Sequence, residues 1–527
     1  MAAPAPKKPA SKASAFAALG LKATLDQLKA EVRELYLADD VPWIIGYSGG
    51  KDSTAVLQLT WLALADLPVE QRRKTVHVIS TDTMVENPVV ASWVTHSLEV
   101  MRKSAKLKQI PIEPHRLTPI TEDSFWVNLI GKGYPAPRHK FRWCTERLKI
   151  KPSTSFITGV VKQSGEAILL LGSRKAESQR RQIVLDKHNK RAVSKGHYGA
   201  RERLTPNASL PGTLVYTPIE NWTNDDVWMF LMQVNNPWGY NNKDLLTMYQ
   251  GASPDGECPL VVDSSTPSCG DSRFGCWVCT LVDKDKSMTA MIQNDQEKEW
   301  MTPLLELRNA LDFRNGGAPG DEDSSDRKLR DFRRMSGAIQ LFHDRPIPGP
   351  YTQEARENWL RKLLAAQTWI RRNGPANVKN IELISLDELQ EIRRLWVVEK
   401  HEMEDTLPRI YAEATGEPYP GQRLDDNLVL GESELSVLRE VCGNDRLHYE
   451  MTRELLSVER QQRAHARRAG LFEQLEKSIR RHYYDDAADA TAMARRHAGA
   501  RAAAGKGERA DAFTDEMECE PQPNLLP

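Results

Sequence analysis

Apolar residues recur along the first third of the chain at two alternating spacings, one typical of helices and the other typical of buried strands. In LKATLDQLKAEVRELYL, which begins at Leu21, they return every three or four positions and define one face of an amphipathic helix. The runs VPWIIGYS, KTVHVISTD and EAILLLGS are short and apolar, as in strands buried on both faces. Helical patterns follow the first two, in KDSTAVLQLTWLALA and NPVVASWVTHSLEVMRK. Strands that alternate with helices predict an α/β fold built on a parallel sheet covered on both faces.

The ends of the first two predicted strands carry the polar residues expected of a ligand site. Ligands of open parallel sheets bind beyond the carboxyl ends of the strands. The first strand runs into the loop SGGKDS, and the second ends at Asp82. Adjacent glycines let the backbone approach an anion, the next helix offers N–H groups at its N-terminus, and a lysine adds positive charge. We expect nucleotide phosphates to bind Ser48, Gly49, Gly50, Lys51, Asp52 and Ser53, with Asp82 at the same edge of the sheet.

The loop is not a P-loop of the Walker A type. That motif needs four residues between its first glycine and the Gly-Lys pair, and a hydroxyl after the lysine that binds magnesium. Here only three residues separate Gly46 from Gly50, and Asp52 occupies the hydroxyl position. The spacing and the chemistry therefore favour a pyrophosphate-binding turn. The simpler alternative is a Gly-Gly turn followed by an unrelated lysine.

The pattern changes twice further along the chain. From about residue 250 a Gly/Pro/Ser-rich loop holds four cysteines, and beyond residue 290 the sequence is charged and helical in pattern. The first residues are rich in Ala, Pro and Lys, and the last are rich in Ala and charge. We predict a disordered arm over 1–20, an α/β domain over 21–290 with the cysteine loop at 258–279, a helical region over 291–484 and a mobile tail over 485–527.

Composition excludes an integral membrane protein. Apolar residues make up 40% and charged residues 27% of the 527 positions, and no apolar run approaches the length of a bilayer span. The N-terminal lysines are not followed by the apolar segment of a secretory signal. Four of the seven cysteines crowd into one loop, which favours thiolate chemistry in a reducing compartment over disulfides. We predict a cytoplasmic protein with no membrane partner.

Charge is unevenly placed although the formal net charge is zero. Residues 132–151 hold seven Lys and Arg against one Glu, and residues 174–203 hold ten against three acids. Local fields of this kind guide a polyanion, so the two basic tracts predict contact with the backbone of a nucleic acid. The alternative is an ordinary solvated surface.

The four clustered cysteines have the spacing of a metal site. Cys258, Cys269, Cys276 and Cys279 give C-x10-C-x6-C-x2-C, and four thiolates on one loop are typical of zinc or of an iron–sulfur cluster. The spacing alone does not separate the two. Four free thiols in a core are the alternative. Cys442 and Cys519 have no comparable setting, and we assign them no role.

Cys144 lies apart from that loop, within the basic segment KFRWCTERLK. Nearby cations stabilise a thiolate and lower the thiol pKa, and the thiolate is the form that attacks or carries sulfur. Cys144 is therefore the candidate nucleophile or persulfide carrier. A buried structural cysteine is the alternative.

Four segments resemble known proteins. SGGKDS after a strand is similar to the PP-loop of the ATP pyrophosphatase superfamily, whose members cleave ATP between its α and β phosphates. GSRKAESQRR, PIENWTNDDVWMFL and RWCTERLKIKP are similar to segments of phosphoadenylylsulfate (PAPS) reductase-like proteins. The resemblance implies that Arg174 and Glu177 contact the nucleotide. A surface helix is the alternative for Glu177, and we expect Trp222 and Trp228 to be core residues.

Together with the helical extension, these motifs resemble the DndC family of DNA phosphorothioation sulfurtransferases. The resemblance covers about residues 40–290 and implies a PP-loop fold of the adenine nucleotide alpha hydrolase type. It implies ATP and Mg²⁺, and a 4Fe-4S cluster, with zinc as the alternative, on the four cysteines of the loop. Lys51, Asp52 and Cys144 would be catalytic. The implied partners are the DNA backbone, a cysteine desulfurase as sulfur donor and other proteins of a phosphorothioation complex.

Two other functions remain open from the sequence. A reductase of adenylylsulfate or PAPS shares most of these motifs, although such enzymes do not need ATP and are usually shorter. A non-catalytic DNA-binding or assembly subunit, in which nucleotide and cluster only stabilise the fold, belongs to a different class.

Overall fold

A six-stranded, mostly parallel sheet forms the centre of the N-terminal half of the computed structural model. The strand order is β3-β2-β1-β4-β6-β5. The first five strands in this order run parallel to one another. The two-residue edge strand β5 is antiparallel to β6. The predicted α/β fold with a parallel sheet is confirmed. The structure describes residues 13–138, 141–177, 182–183, 200–252, 275–312, 314, 325–342, 345–425, 428–443, 445–463 and 470–503.

The strands and the longer helices have the following bounds. The strands are β1 Trp43–Gly46, β2 Val76–Thr81, β3 Ile112–Leu117, β4 Ala167–Leu170, β5 Thr205–Pro206, β6 Thr213–Tyr216, and a small separate pair, β7 Leu341–Phe342 and β8 Arg345–Pro346. The helices of the N-terminal half are α1 Gly20–Leu37, α2 Lys51–Ala65, α3 Pro88–Leu107, α4 Lys151–Ser164, α5 Asn224–Gln233 and α6 Asn242–Gly251. Those that follow are α7 Lys286–Asn294, α8 Thr302–Leu311, α9 Gln353–Asn373, α10 Leu386–Arg394, α11 Leu407–Thr415, α12 Glu432–Val441, α13 Arg446–Arg463, α14 Leu471–His482 and α15 Ala487–Ala503.

Alternate side chains of the central strands pack on opposite faces of the sheet. Trp43 and Ile45 of β1 join the core formed with α1, α2, α3 and α5, whereas Ile44 between them joins the core under α4. This follows from the two-residue period of a strand. Because both faces are covered at the centre of the sheet, β1 and β4 are apolar throughout, which explains why their sequences do not alternate.

Two helices begin at sequence-encoded caps. Thr223 and Asp226 form a capping box at the start of α5, in which each side chain accepts from the other's backbone N–H. Ser385 and Glu388 do the same at the start of α10. At α3, the Asn87 side chain caps the helix and Pro88 occupies its first position.

The C-terminal helical region shares a hydrophobic core with part of the α/β region. Phe125, Trp126 and Trp143 belong to the same cluster of buried residues as Trp359 of α9 and Trp396. Trp126 donates its indole N–H to the carbonyl oxygen of Leu383 at 2.8 Å. The helical region is confirmed, and the boundary placed at residue 290 stays a prediction.

Both ends of the chain contain more structure than the sequence predicts. In the arm predicted to be disordered, Phe16 is buried against Trp222, and the Ala15 N–H donates to Asp226 at 3.0 Å. Within the predicted mobile tail, residues 487–503 form α15. Residues 1–12 and 504–527 lie outside the described residues. Within the described ranges, no helix has both the length and the apolar character needed to cross a membrane.

Candidate active site

The loop between β1 and α2 is held by hydrogen bonds among its own residues. The Ser48 N–H donates to Ser53 Oγ at 3.2 Å, and the two hydroxyl oxygens are also 3.2 Å apart. Ser53 Oγ donates to the carbonyl oxygen of Gly50 at 3.0 Å. Gly50 is the N-cap of α2 and supplies no side-chain cap, so the first N–H groups of this helix face the loop. Such a helix N-terminus favours an anion.

Two glycines let the backbone pass close to its neighbours here. Gly49 has a positive φ of 75°, and a Cβ on it would overlap a methyl group of Val94 on α3. A Cβ on Gly172 would lie 2.9 Å from the backbone carbon of Asp52. The segment GSRKAES therefore packs directly on the first turn of α2.

Arg174 and Asp52 form a largely buried ion pair at this contact. Arg174 Nε donates to Asp52 Oδ1 at 2.7 Å, and its side chain is only 4% exposed. Lys51 Nζ lies 3.2 Å from the other carboxylate oxygen of Asp52. Glu177 Oε1 lies 3.8 Å from Arg174 Nε. Four of the residues predicted to bind nucleotide are thus in one network, and the Asp52 carboxylate is at its centre.

Tyr249 is a site residue that the sequence analysis missed. Its hydroxyl oxygen accepts from the Lys51 N–H at 3.4 Å and would be 3.2 Å from a Cβ on Gly50. Burial, and then the charge of Asp52, raise the pKa of the Tyr249 hydroxyl, so the hydroxyl stays protonated and able to donate. Nothing near Tyr249 in sequence signals this role, because the contact spans 198 positions.

The two tryptophans of PIENWTNDDVWMFL are buried, as expected of core residues. Trp222 packs edge-on against Phe230, and Trp228 packs edge-on against Tyr249. The backbone carbonyl of Trp222 also accepts from Arg174 at 3.3 Å. This motif therefore contacts Arg174 and Tyr249 and helps to position both side chains.

Asp82 follows β2 and has its own cationic partner. Its Oδ2 atom accepts from Arg116 Nε at 2.9 Å, and its Oδ1 atom accepts from the Met84 N–H at 2.8 Å. Met84 has a positive φ of 63°, which marks a sharp turn just after the strand. Asp82 lies at the carboxyl edge of the sheet with the phosphate loop, and its role toward nucleotide stays a prediction.

The described end of the cysteine loop lies against this same turn. Gly275 O accepts from the Asn87 N–H at 3.3 Å, and the Trp277 N–H donates to Val85 O at 2.9 Å. Cys276 Sγ is 3.3 Å from Thr83 Oγ1. Because β1 and β2 are neighbours in the sheet, the phosphate loop and the turn that contacts the cysteine segment follow adjacent strands.

Cys144 lies beside Cys276 and Cys279, although more than 130 positions separate them in the sequence. Burial, and then the charge of Cys279, raise the pKa of the Cys144 thiol to about 11, and Lys149 offsets this only in part. The lowered pKa expected from the flanking cations is therefore not found. Lys149 instead pairs with Glu86 at 3.4 Å.

The described thiols fit a sulfur-ligated metal or cluster. Burial, and then the charge of Glu86, raise the pKa of Cys276, as for any thiol withdrawn from water beside an acid. A metal takes up the thiolate form and removes that penalty. Thiolates are the donors that zinc and iron–sulfur clusters use, and Cys144, Cys276 and Cys279 lie near one another, with sulfur atoms that are not all within 4.8 Å of each other. Cys258 and Cys269 lie outside the described residues.

Comparison with protein families gives a match over nearly the whole α/β region. Residues 42–281 match the model of the phosphoadenosine phosphosulfate reductase domain. This segment is therefore similar to PAPS reductase domains. It contains the phosphate loop, Arg174, Tyr249, Cys144, Cys276 and Cys279.

Similar proteins match the chain only distantly. The uncharacterized protein MJ0066 of Methanocaldococcus jannaschii is 24% identical over 207 residues, which are 39% of this chain and 35% of that protein. The chain thus spans about a third of the length of this relative. A solved structure, the U34-tRNA thiolase NcsA from Methanococcus maripaludis with its 4Fe-4S cluster, has 12% identity and a TM-score of 0.26 over 58% of this chain and 86% of that chain.

Several cations of the first basic tract, residues 132–151, form ion pairs with acidic residues of the same chain. Arg138 pairs with Asp326 at 2.8 Å, and Arg147 and Lys151 both pair with Asp123. Arg142 is exposed. Most of the second tract lies outside the described residues, so contact with a nucleic acid stays a prediction.

Proposed function

We propose that the chain is an ATP-dependent sulfurtransferase that replaces a non-bridging oxygen of a DNA backbone phosphate with sulfur. The observation that supports this is the convergence at one sheet edge. The phosphate loop follows β1, and Cys276 lies against the turn that follows the neighbouring strand β2, with Cys144 and Cys279 near Cys276. The phosphate loop and these thiols would therefore serve one site at the same edge of the sheet. The match to the PAPS reductase domain and the resemblance to the DndC family add support.

The loop would bind the β and γ phosphates of ATP, where charge develops as pyrophosphate leaves. The N–H groups at the start of α2, Lys51 and the hydroxyls of Ser48 and Ser53 are the donors. A phosphate oxygen of the DNA attacks the α phosphorus, the α–β bridging bond breaks, and pyrophosphate departs. The product is an adenylylated phosphate whose leaving group is AMP.

Sulfur transfer then needs a carrier and a reductant. Cys144 would hold the transferable sulfur as a persulfide received from a cysteine desulfurase. The terminal sulfur attacks the DNA phosphorus and AMP leaves, so the phosphorus is joined to Cys144 through a disulfide. A thiol reductant then attacks Sγ of Cys144, which releases the phosphorothioate. The resulting mixed disulfide is reduced by a second thiol.

Asp52 and Asp82 are the two site carboxylates predicted to bind nucleotide that could assist Mg²⁺. Both have cationic partners, Arg174 with Lys51 and Arg116 respectively. We infer that Mg²⁺ enters with the nucleotide phosphates, as is usual for this ion, and that Asp52 mainly positions the loop.

Cys276 and Cys279, with Cys258 and Cys269, would hold a 4Fe-4S cluster. When bound, such a cluster supplies electron-transfer iron and sulfide next to the thiol of Cys144. The proximity of Cys144 to Cys276 and Cys279 also favours a second role for Cys144, as a cluster ligand.

Cys144→Ala separates the two roles. We expect full pyrophosphate release and full iron and sulfide content, with loss of sulfur incorporation into DNA. Normal incorporation of sulfur contradicts the carrier role. If the variant loses both its iron and its sulfur incorporation, Cys144 is a cluster ligand. Cys442→Ala, in the helical region, is the matched control and should behave like the parent protein.

Reduction of adenylylsulfate or PAPS is a second candidate, which the family match to residues 42–281 favours. Sulfite formation from either compound without ATP would support it. An assembly subunit without catalysis would still permit DNA modification after Lys51→Ala, provided that the variant folds.

A further inference from the structure

Three metal-binding side chains meet on the outer two strands of the sheet, away from the phosphate loop and the cysteines. His77 of β2 lies opposite Glu113 of β3, and Ile79 lies opposite His115. Because strand side chains alternate, all four residues are on one face. Ile79 belongs to the core under α4, which fixes that face.

The distances among the ligand atoms suit a small metal ion. One ligand atom from each of His77, Glu113 and His115 lies within 4.8 Å of the other two. His77 Nδ1 is 3.1 Å from His115 Nε2 and 3.7 Å from Glu113 Oε2. A tetrahedral zinc ion with bonds of about 2.0–2.2 Å separates its ligands by roughly 3.3–3.6 Å. Shifts of about half an ångström or less would bring these two separations into that range.

The cluster is shielded on one side and open on the other. Phe156 of α4 packs against both imidazole rings, with centroids 5.6 Å from His77 and 4.8 Å from His115. The Glu113 side chain is 61% exposed, so water reaches the cluster from the edge of the sheet. Two imidazoles, one carboxylate and one open position match the ligand set of known zinc sites.

The charges around the cluster are compatible with a cation. Burial lowers the pKa of both His77 and His115, which favours the neutral imidazoles that ligate metals. Glu113 supplies a negative charge. Arg102 opposes a cation at His115, and its guanidinium donates to the carbonyl oxygen of Pro114 at 2.8 Å.

We propose that His77, Glu113 and His115 bind one divalent transition-metal ion of the zinc class, with water in the open position. The site is independent of the proposed sulfur transfer. A bound ion would join the outermost strand β3 to β2 through side chains as well as through the backbone.

Co²⁺ is a suitable probe, because its absorption distinguishes nitrogen and oxygen ligands from thiolates. The full chain, purified with its cluster under anaerobic conditions, is titrated with Co²⁺ alone. We expect one equivalent with a spectrum free of sulfur-to-metal charge transfer. His77→Ala should lose it, and Glu113→Gln should weaken binding by about tenfold or more. His96→Ala removes an exposed histidine elsewhere and should leave binding unchanged.

Three results would overturn the site. They are no Co²⁺ bound by the parent protein, Co²⁺ bound to thiolates only, or parental binding by both His77→Ala and Glu113→Gln. Should His77→Ala fail to fold, Glu113→Gln still decides, because the carboxylate it changes is mostly exposed. A thermal unfolding scan gives a second readout, in which Zn²⁺ raises the midpoint of the parent protein and not that of Glu113→Gln.

Discussion

Arg174 Nε donates to Asp52 Oδ1 at 2.7 Å and thereby joins two motifs that lie 122 positions apart in the sequence. Arg174 is almost fully buried, and its second contact is the backbone carbonyl of Trp222. The pair therefore fixes the first turn of α2, where the phosphate loop ends. Catalysis and stability both depend on this contact in our account.

Asp52→Asn should destabilise the protein by about 2 kcal/mol, because it leaves the buried Arg174 charge with only the more distant carboxylate of Glu177. The expected loss of stability is smaller than for a fully buried ion pair, because the Asp52 side chain is 25% exposed. Urea titration measures the loss. Asp82→Asn is the matched control. Its partner Arg116 is 52% exposed, so we expect a loss below about 1 kcal/mol. Equal losses in the two variants would show that burial of Arg174 is unimportant.

Gly49→Ala should abolish ATP cleavage and destabilise the fold by about 2–3 kcal/mol, since it adds left-handed strain and a clash with Val94. Gly50→Ala is the control, because Gly50 has an ordinary φ of −82° and more space. It should cost less than about 1 kcal/mol. Denaturation and ATP turnover of the two variants test this. If Gly49→Ala keeps the parental stability and ATP turnover, the loop geometry described above is wrong.

His482 predicts a loss of stability in mild acid. Its ring donates to the Ser478 carbonyl oxygen at 2.9 Å. Burial, and then Arg333, lower the pKa of His482, while Ser478, Glu454 and Glu450 offset the shift in part. The unfolded chain therefore binds the proton more readily than the folded chain. The stabilising contribution is present above the usual imidazole pKa of about 6.5 and is lost as the pH falls below it.

Urea midpoints at about pH 7.5 and about pH 5.5 measure this effect. His482→Gln should reduce the fall in midpoint between the two values. Part of the fall should remain, because burial also lowers the pKa of His401. His448→Gln changes an exposed histidine and should keep the parental fall. An unchanged fall in His482→Gln would mean that other groups govern the acid sensitivity.

The sequence predicts the α/β fold because its signals are local. The apolar runs, the helical spacing after them and the glycine loop at residues 48–53 each specify one strand, helix or turn. Helix caps formed by neighbouring residues, such as Asn87 with Pro88, are local signals of the same kind. Long-range packing decides that β4 pairs with β1 and that β6 pairs with β4, and no local pattern encodes these pairings.

The contacts between motifs could not be predicted for the same reason. Arg174 and Asp52 were both candidate nucleotide ligands, yet their mutual ion pair appears only in three dimensions. Tyr249 has no motif of its own. Cys144 was expected to have a lowered pKa from the cations beside it in sequence, whereas burial and Cys279 dominate in the folded chain.

The products of ATP cleavage test the central claim most directly. The full chain, with its cluster, DNA and a sulfur donor, is incubated with ATP labelled at the α phosphate or at the γ phosphate, and the nucleotides and released phosphates are separated. Our account predicts AMP and pyrophosphate in equal amounts, and neither after Lys51→Ala. ADP and orthophosphate would contradict it.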